Sequence, residues 1–268
     1  MKASFLEKHP ILAMAQPAAL PGSIRCGGVS IGEISARLID EVAMLVRGGV
    51  DGVILQNFND GPVKQGAALE VCGYLTRLGR DIKSAFPDLL LGVLVCWDGP
   101  MSLAVAEAVG ADFVRVEHVY CGAELTAAGI IEGQCVAVQQ LKRKLGSSMF
   151  ICADVYEPHS VPLCPLPVEI AATEAVWGGL ANGLFVCGKH AEESIELAER
   201  VKKVLPGVPL LCGGGSNAEN VGGLLHAFDG VCVGACIRNG SLHNPIDENR
   251  LAAYMDAVYA AREAMGIR

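Results

Sequence analysis

The stretch Gly48-Gly49-Val50-Asp51-Gly52-Val53-Ile54-Leu55-Gln56 reads as a helix exit, a tight turn and a strand that is apolar until its last residue. Its opening recurs along the chain. Gly110-Ala111-Asp112-Phe113-Val114 repeats it, as do Ala181-Asn182-Gly183-Leu184 behind Gly178-Gly179, and Phe228-Asp229-Gly230-Val231. A short Asp or Asn in such a turn can hydrogen-bond its own backbone. These residues are therefore expected to be structural fixtures where strands begin, despite their charge.

Working outward from these turns, eight apolar runs emerge: 11–15, 53–56, 90–96, 113–117, 149–155, 184–187, 208–212 and 230–233. They are near-continuous rather than alternating, as strands covered on both faces are, and this points to a parallel sheet. Segments of helical periodicity separate them. In 31–47, Ile34, Leu38, Val42 and Leu45 fall on one face. Segments 69–86, 101–109, 133–145, 168–177, 192–205, 217–226 and 247–265 complete the alternation. Eight strands alternating with eight helices make an α/β chain of the (β/α)8, or TIM-barrel, class, expected as a single domain over residues 1–268. The rival, an open doubly wound sheet, suits fewer strands, and no G-x-G-x-x-G follows the first strand.

Composition removes other classes. The 268 residues carry 21 Lys and Arg against 29 Asp and Glu, a net charge of −8, and 51% are hydrophobic. Disorder requires the opposite balance. An acidic chain has no general attraction for nucleic acid, and no apolar run approaches the ~18 residues of a membrane span. The 11 cysteines include no C-x-x-C pair. Cys152, Cys187, Cys212 and Cys232 lie in or at the end of apolar runs, as small hydrophobes in a reduced, cytoplasmic protein do. The N-terminus MKASFLEKHPILAMAQP does not read as a signal peptide. The scarcity of charge suggests a homo-oligomer.

In a barrel of this class the chemistry sits where strands end. Asn57, Asp98, Glu117, Asp154, His159 and Lys189 all follow strand bodies that are otherwise apolar. Glu117, Asp154 and His159 are the candidate acid–base groups: a half-buried carboxyl can titrate near neutrality, and an Asp can orient a His. Asn57, Asp98 and Lys189 are candidate substrate contacts; Lys189 reads equally as a surface residue opening a helix. Carboxylates and imidazole also suit a divalent metal, but no H-x-H or H-E-x-x-H spacing marks a metal site, and no other cofactor is expected. The seventh strand ends in Gly213-Gly214-Gly215-Ser216 and the eighth in Gly234-Ala235. Glycine lets backbone N–H groups approach an anion, and the loops after strands seven and eight are this fold's usual phosphate site. A small phosphorylated substrate follows, with no nucleic-acid partner.

The chain resembles the BtpA/SgcQ family nearly end to end. The resemblance rests on Leu20-Pro21-Gly22-Ser23, Gly49 to Ile54 with Asn57-Phe58-Asn59-Asp60, and Gly110 to Val116. Gly129-Ile130-Ile131-Glu132-Gly133, Ala153-Asp154-Val155 with His159, and Leu180-Ala181-Asn182 extend it. So do Asn217-Ala218-Glu219-Asn220-Val221, Asp229-Gly230-Val231 with Val233-Gly234, and Asn244-Pro245-Ile246-Asp247 with Arg250. That family is similar to ribulose-phosphate-binding barrels. One branch is linked to photosystem I biogenesis, and another lies among sugar-metabolism genes. The resemblance implies an enzyme performing isomerase or lyase (aldolase-type) chemistry on a phosphorylated, sugar-derived metabolite. Its alternative is a non-catalytic assembly or stability factor for a membrane complex such as photosystem I. The chain departs from the family pattern at Gln56, where Glu is usual, at Glu117, where Asn is usual, and at Cys187-Gly188-Lys189-His190.

Overall fold

A computed structural model describes residues 4–156, 158 and 160–267. The elements run β1 (Ile11–Ala15), α1 (Ile31–Arg47), β2 (Gly52–Gln56), α2 (Leu69–Ala85), β3 (Leu90–Leu94), α3 (Gly99–Val109) and β4 (Phe113–Val116). Next come β5 (Ala123–Thr126), β6 (Gly129–Glu132), α4 (Cys135–Leu145), β7 (Phe150–Tyr156), β8 (Val161–Pro162) and α5 (Val168–Thr173). The chain continues with β9 (Gly183–Val186), α6 (Ala191–Val204), β10 (Leu210–Cys212), α7 (Val221–Ala227), β11 (Gly230–Val233) and α8 (Glu248–Met265). Strands β1-β11-β10-β9-β7-β4-β3-β2 close a barrel in which every pairing is parallel. The expected (β/α)8 barrel is thus what the chain forms.

The two-sided burial has a simple origin. Successive strand residues point alternately inward and outward. Leu12, Met14, Ile54, Leu94, Phe113, Phe150, Cys152, Phe185, Leu211 and Cys232 fill the barrel interior. Ile11, Ala13, Val53, Leu55, Leu91 and Val93 join the layer beneath the helices, where Ile34, Leu38, Val42 and Leu45 of α1 meet them. Phe5, in the 3-10 turn Ser4–Leu6, stacks on Phe113 with centroids 5.8 Å apart and takes part in this inner core. Gly92 makes room for the Phe113 ring: a Cβ there would lie 2.4 Å from it. Gly92→Ala is expected to lower stability by roughly 1–3 kcal/mol through overpacking, seen as a lower melting temperature; an unchanged midpoint would show that the ring can retreat.

The four turn residues act differently from the sequence expectation. They bond not their own backbone but an N–H of the first or second residue of the preceding barrel strand. Asp51 Oδ2 accepts from Ile11 N at 2.7 Å, and Asp112 Oδ2 from Leu91 N at 2.8 Å. Asn182 Oδ1 accepts from Ile151 N at 2.9 Å, and Asp229 Oδ2 from Leu210 N at 2.8 Å. Each also meets a cation from a helix: Arg262 of α8 at 2.5 Å, Lys83 of α2 at 2.8 Å, Lys142 of α4 at 3.4 Å and Lys202 of α6 at 3.3 Å. The barrel is therefore latched at its N-terminal rim by four copies of one device. A turn residue reaches a neighbouring strand there because the parallel register sets the start of each strand beside the next.

Two features depart from the periodicity. The strands β5, β6 and β8 form a separate antiparallel sheet in the order β6-β5-β8, within the segments that follow β4 and β7. Cross-strand neighbours Ile130, Leu125 and Val161 are 59%, 51% and 65% exposed, so the sheet carries an apolar row on its open face. Helix α7 begins at Val221, because Asn217 and Asn220 close a side-chain-bonded turn: Asn220 Oδ1 accepts from Asn217 N at 2.8 Å. Among the described residues, no helix is long and apolar enough to cross a membrane.

Candidate active site

The C-terminal ends of the strands surround a cavity of about 290 Å3. Gln16 follows β1, Gln56 ends β2, Arg115 and Glu117 come from β4 and its end, and Asp154 comes from β7. Cys187-Gly188-Lys189 after β9 and Gly213-Gly214-Gly215 after β10 complete the wall, with Leu242 from the loop after β11. This is the face where barrels of this class do chemistry, and the volume lies at the small end of ligand sites, roughly 300–1,000 Å3.

The floor of the mouth holds an ion pair. Arg115 Nε and one terminal nitrogen donate to the two oxygens of Asp154, both at 2.8 Å, and both side chains are buried. The guanidinium also lies over the Phe185 ring, 4.4 Å from its centroid. Burial alone would lower the Arg115 pKa; the Asp154 carboxylate outweighs it and holds the pKa well above its ordinary value. Beside this pair runs a hydrogen-bonded chain drawn from three strand ends. Gln16 Nε2 donates to Gln56 Oε1 at 2.8 Å, and Gln56 Nε2 donates to Glu117 Oε1 at 3.1 Å. Cys212 and Cys232 sit near the pair, and burial pushes both thiols up to about 12, so they remain protonated packing groups.

Of the residues singled out from the sequence, Glu117, Asp154, Lys189, Gly213, Gly214 and Gly215 meet at this mouth. Lys189 is exposed on its rim. His159 lies outside the described residues. The remaining residues turn elsewhere. Asp98 caps α3, accepting from Met101 N at 2.8 Å, and its other oxygen accepts from Ala67 N at 2.7 Å, so both oxygens serve as loop anchors. Asn57 is spent between Cys96 N and Asp60, both at 2.8 Å. It borders a second cavity of about 430 Å3 under the loops after β1 and β2, whose lining includes neither Glu117 nor Asp154.

The expected phosphate loop narrows in the same way. Gly213 N donates to Val186 O at 3.1 Å and is not available to a ligand. Ser216 is buried; its hydroxyl donates to Cys232 O at 2.7 Å and accepts from Tyr254 at 3.1 Å. Gly234 and Ala235 do not line the mouth; a Cβ at Gly234 would meet Leu242 Cδ2 at 2.8 Å, so this glycine accommodates a neighbouring loop. Gly214 and Gly215 remain at the mouth, and among the described residues no protein group accepts from their N–H. Nor do the described residues contain a group of three or more His, Cys, Asp or Glu placed to hold a metal ion.

Two mouth residues escaped the sequence reading. Arg115 lies within the apolar run 113–117, and nothing in sequence paired it with Asp154, 39 residues on. Gln16 directly follows the first strand, and the strand-end rule applied there would have found it. Arg238 was missed as well: buried, it binds Glu41 and donates to Asn244 O at 2.9 Å, fixing the loop after β11.

A closed parallel barrel with a small polar mouth at its C-terminal face defines the class: a (β/α)8-barrel protein with a ligand-sized site. Within that class the chain belongs to the BtpA family, whose model matches residues 7–260. It is 31% identical over 262 residues to the photosystem I biogenesis protein BtpA of Synechocystis, covering 95% of this chain and 90% of that one. It is 32% identical over 253 residues to an uncharacterised protein of Pyrococcus furiosus, covering 93% and 95%. Among solved structures it is similar to a mutant tryptophan synthase α-subunit of Pyrococcus furiosus, with 16% identity, a TM-score of 0.54 and coverage of 97% and 99%. It is also similar to phosphoribosylanthranilate isomerase of Thermotoga maritima, with 13% identity, a TM-score of 0.51 and coverage of 93% and 98%. At such identities the likeness is one of fold.

Proposed function

We propose that the protein is a cytoplasmic enzyme acting on a small phosphorylated, sugar-derived metabolite by isomerase or lyase (aldolase-type) acid–base chemistry. The observation that carries this reading is the mouth itself: a half-buried carboxylate, Glu117, and a buried Arg115–Asp154 pair share a cavity of about 290 Å3 with two glycine N–H donors. Gly214 and Gly215, with Lys189 on the rim, supply donors and positive charge for a phosphate. Glu117 is the proton-transfer group: it lies half-buried at the mouth, where a carboxyl meets a bound ligand, and it accepts from the Gln56 amide at 3.1 Å. Asp154 is less suited to that role than the sequence suggested. Both its oxygens face a guanidinium, so it keeps Arg115 charged and placed; His159, five residues on, is the second acid–base candidate.

Thermal shift tests the reading. At one hundred times Kd a bound sugar phosphate or inorganic phosphate stabilises by about 2.7 kcal/mol, a rise of several degrees for a chain of this size. No shift with inorganic phosphate or with sugar phosphates of three to six carbons would overturn it.

A second reading, an assembly or stability factor for a membrane complex, is favoured by the name of the Synechocystis relative and by the exposed Ile130, Leu125 and Val161 row. Glu117→Gln separates the two: it removes the proton-transfer group while keeping the hydrogen-bonding shape, so it abolishes enzymatic function and spares assembly function. Asp154→Asn is a poorer discriminator, because it disturbs a buried ion pair.

A further inference from the structure

The Gln16–Gln56–Glu117 chain has a fixed polarity. A carboxylate accepts hydrogen bonds and donates none. Glu117 therefore requires the NH2 group of Gln56, which turns the Gln56 carbonyl towards Gln16, and this in turn requires the NH2 group of Gln16. The Gln16 carbonyl oxygen is left over. Among the described residues lining the mouth, it is the one buried side-chain polar atom with no hydrogen-bond partner. Gln16 is only 6% exposed, so water does not freely solvate that oxygen. A buried acceptor without a donor is costly.

The geometry points to Gln16 as a specificity-determining residue whose Oε1 accepts a hydrogen bond from a substrate hydroxyl. Gln16 lines the mouth beside Glu117, so its unpartnered acceptor is the one a ligand seated there would satisfy. A hydroxyl can donate to it; a carboxylate or ketone cannot, and a carboxylate is also repelled by Glu117. The site thus takes phosphate esters of polyols and aldoses in preference to phosphorylated carboxylic acids. This rests on the phosphate-site reading above and narrows its substrate class.

Titration calorimetry with inorganic phosphate, ribitol 5-phosphate, ribose 5-phosphate and 5-phosphoribonate tests the inference. The wild-type chain is expected to bind the first two esters roughly 10-fold more tightly than the carboxylate ester, the value of about one hydrogen bond. Gln16→Met keeps the length of the side chain but removes the acceptor. It is expected to lose roughly that factor for ribitol and ribose 5-phosphates, while binding inorganic phosphate as before. The phosphate affinity and the melting temperature report whether the variant is folded. Should it not fold, the shorter apolar variant Gln16→Leu takes its place, and the comparison of ribose 5-phosphate with 5-phosphoribonate in the wild-type chain tests Gln16 and Glu117 together. Equal affinity for these two esters, or an unaltered preference in a folded Gln16→Met protein, would overturn the inference and leave the phosphate site standing. Failure of phosphate and of all three esters to bind would overturn both.

Discussion

Asp154→Ala is expected to destabilise the protein by about 3–5 kcal/mol, because it leaves the Arg115 guanidinium buried without its counter-charge. At roughly 2–4 °C per kcal/mol for chains near this size, the melting midpoint falls by about 6–20 °C. The magnitude follows from burial. Arg115 and Asp154 are 5% and 3% exposed, and two donor–oxygen contacts of 2.8 Å join them. An exposed pair would be worth under about 1 kcal/mol. Removing both charges should cost far less than removing one, since a well-packed apolar replacement of a buried pair is often neutral. The double variant Arg115→Met with Asp154→Leu is therefore expected to melt above the Asp154→Ala protein. Thermal melts of the three proteins check this. An Asp154→Ala midpoint within about 2 °C of wild type would show that water or a relaxed loop satisfies the guanidinium.

Asp112→Ala is expected to cost about 2–3 kcal/mol, the value of a hydrogen bond to a charged group. One oxygen, Oδ2, receives both Leu91 N and Lys83 Nζ at 2.8 Å, so the change unpins the start of β3 and leaves the helix-borne lysine with only its bond to Leu89 O at 3.1 Å. Asp112→Asn separates the two contributions. It keeps an oxygen for Leu91 N and gives up the ion pair, which is partly exposed and worth less than about 1 kcal/mol. Asn182 shows the latch working in that form, with its Oδ1 2.9 Å from Ile151 N. Urea denaturation in low and high salt provides the measurement. The loss in Asp112→Ala should persist in 1 M salt, where surface charges are screened within about 3 Å. A loss that vanishes in high salt would mean that the lysine, and not the backbone N–H, is what the carboxylate serves.

The latch also shows how far sequence reading extends. The recurring Asp or Asn after a glycine-rich exit marked the start of alternate strands correctly, because such turns are short and local. Its partner could not be read, since the N–H it binds belongs to another strand: Ile11 for Asp51 lies 40 residues away. The mouth divides likewise. Glu117, Asp154 and the glycines Gly213 to Gly215 were legible because a barrel sends the ends of its strands to one face. The misplacement of Asp98 and Ser216 was not, because a strand-end position does not reveal whether a side chain turns inward to the mouth or sideways to cap a helix or bind a strand.

Periodicity and turn chemistry by themselves determined the eight-fold alternation of strand and helix, the parallel sheet, the buried face of α1 and the face that carries the polar residues. These depend on residues close together in the chain, whose side-chain directions the backbone fixes. Only the tertiary structure decided that Arg115 grips Asp154, that Gln16 and Gln56 hand a hydrogen bond to Glu117, that Gly214 and Gly215 alone of the glycine run keep N–H groups for the mouth, and that β5, β6 and β8 pair outside the barrel. Each depends on closure of the barrel, which brings strand ends tens of residues apart within hydrogen-bond reach and settles which polar groups are used up within the protein and which remain for a ligand.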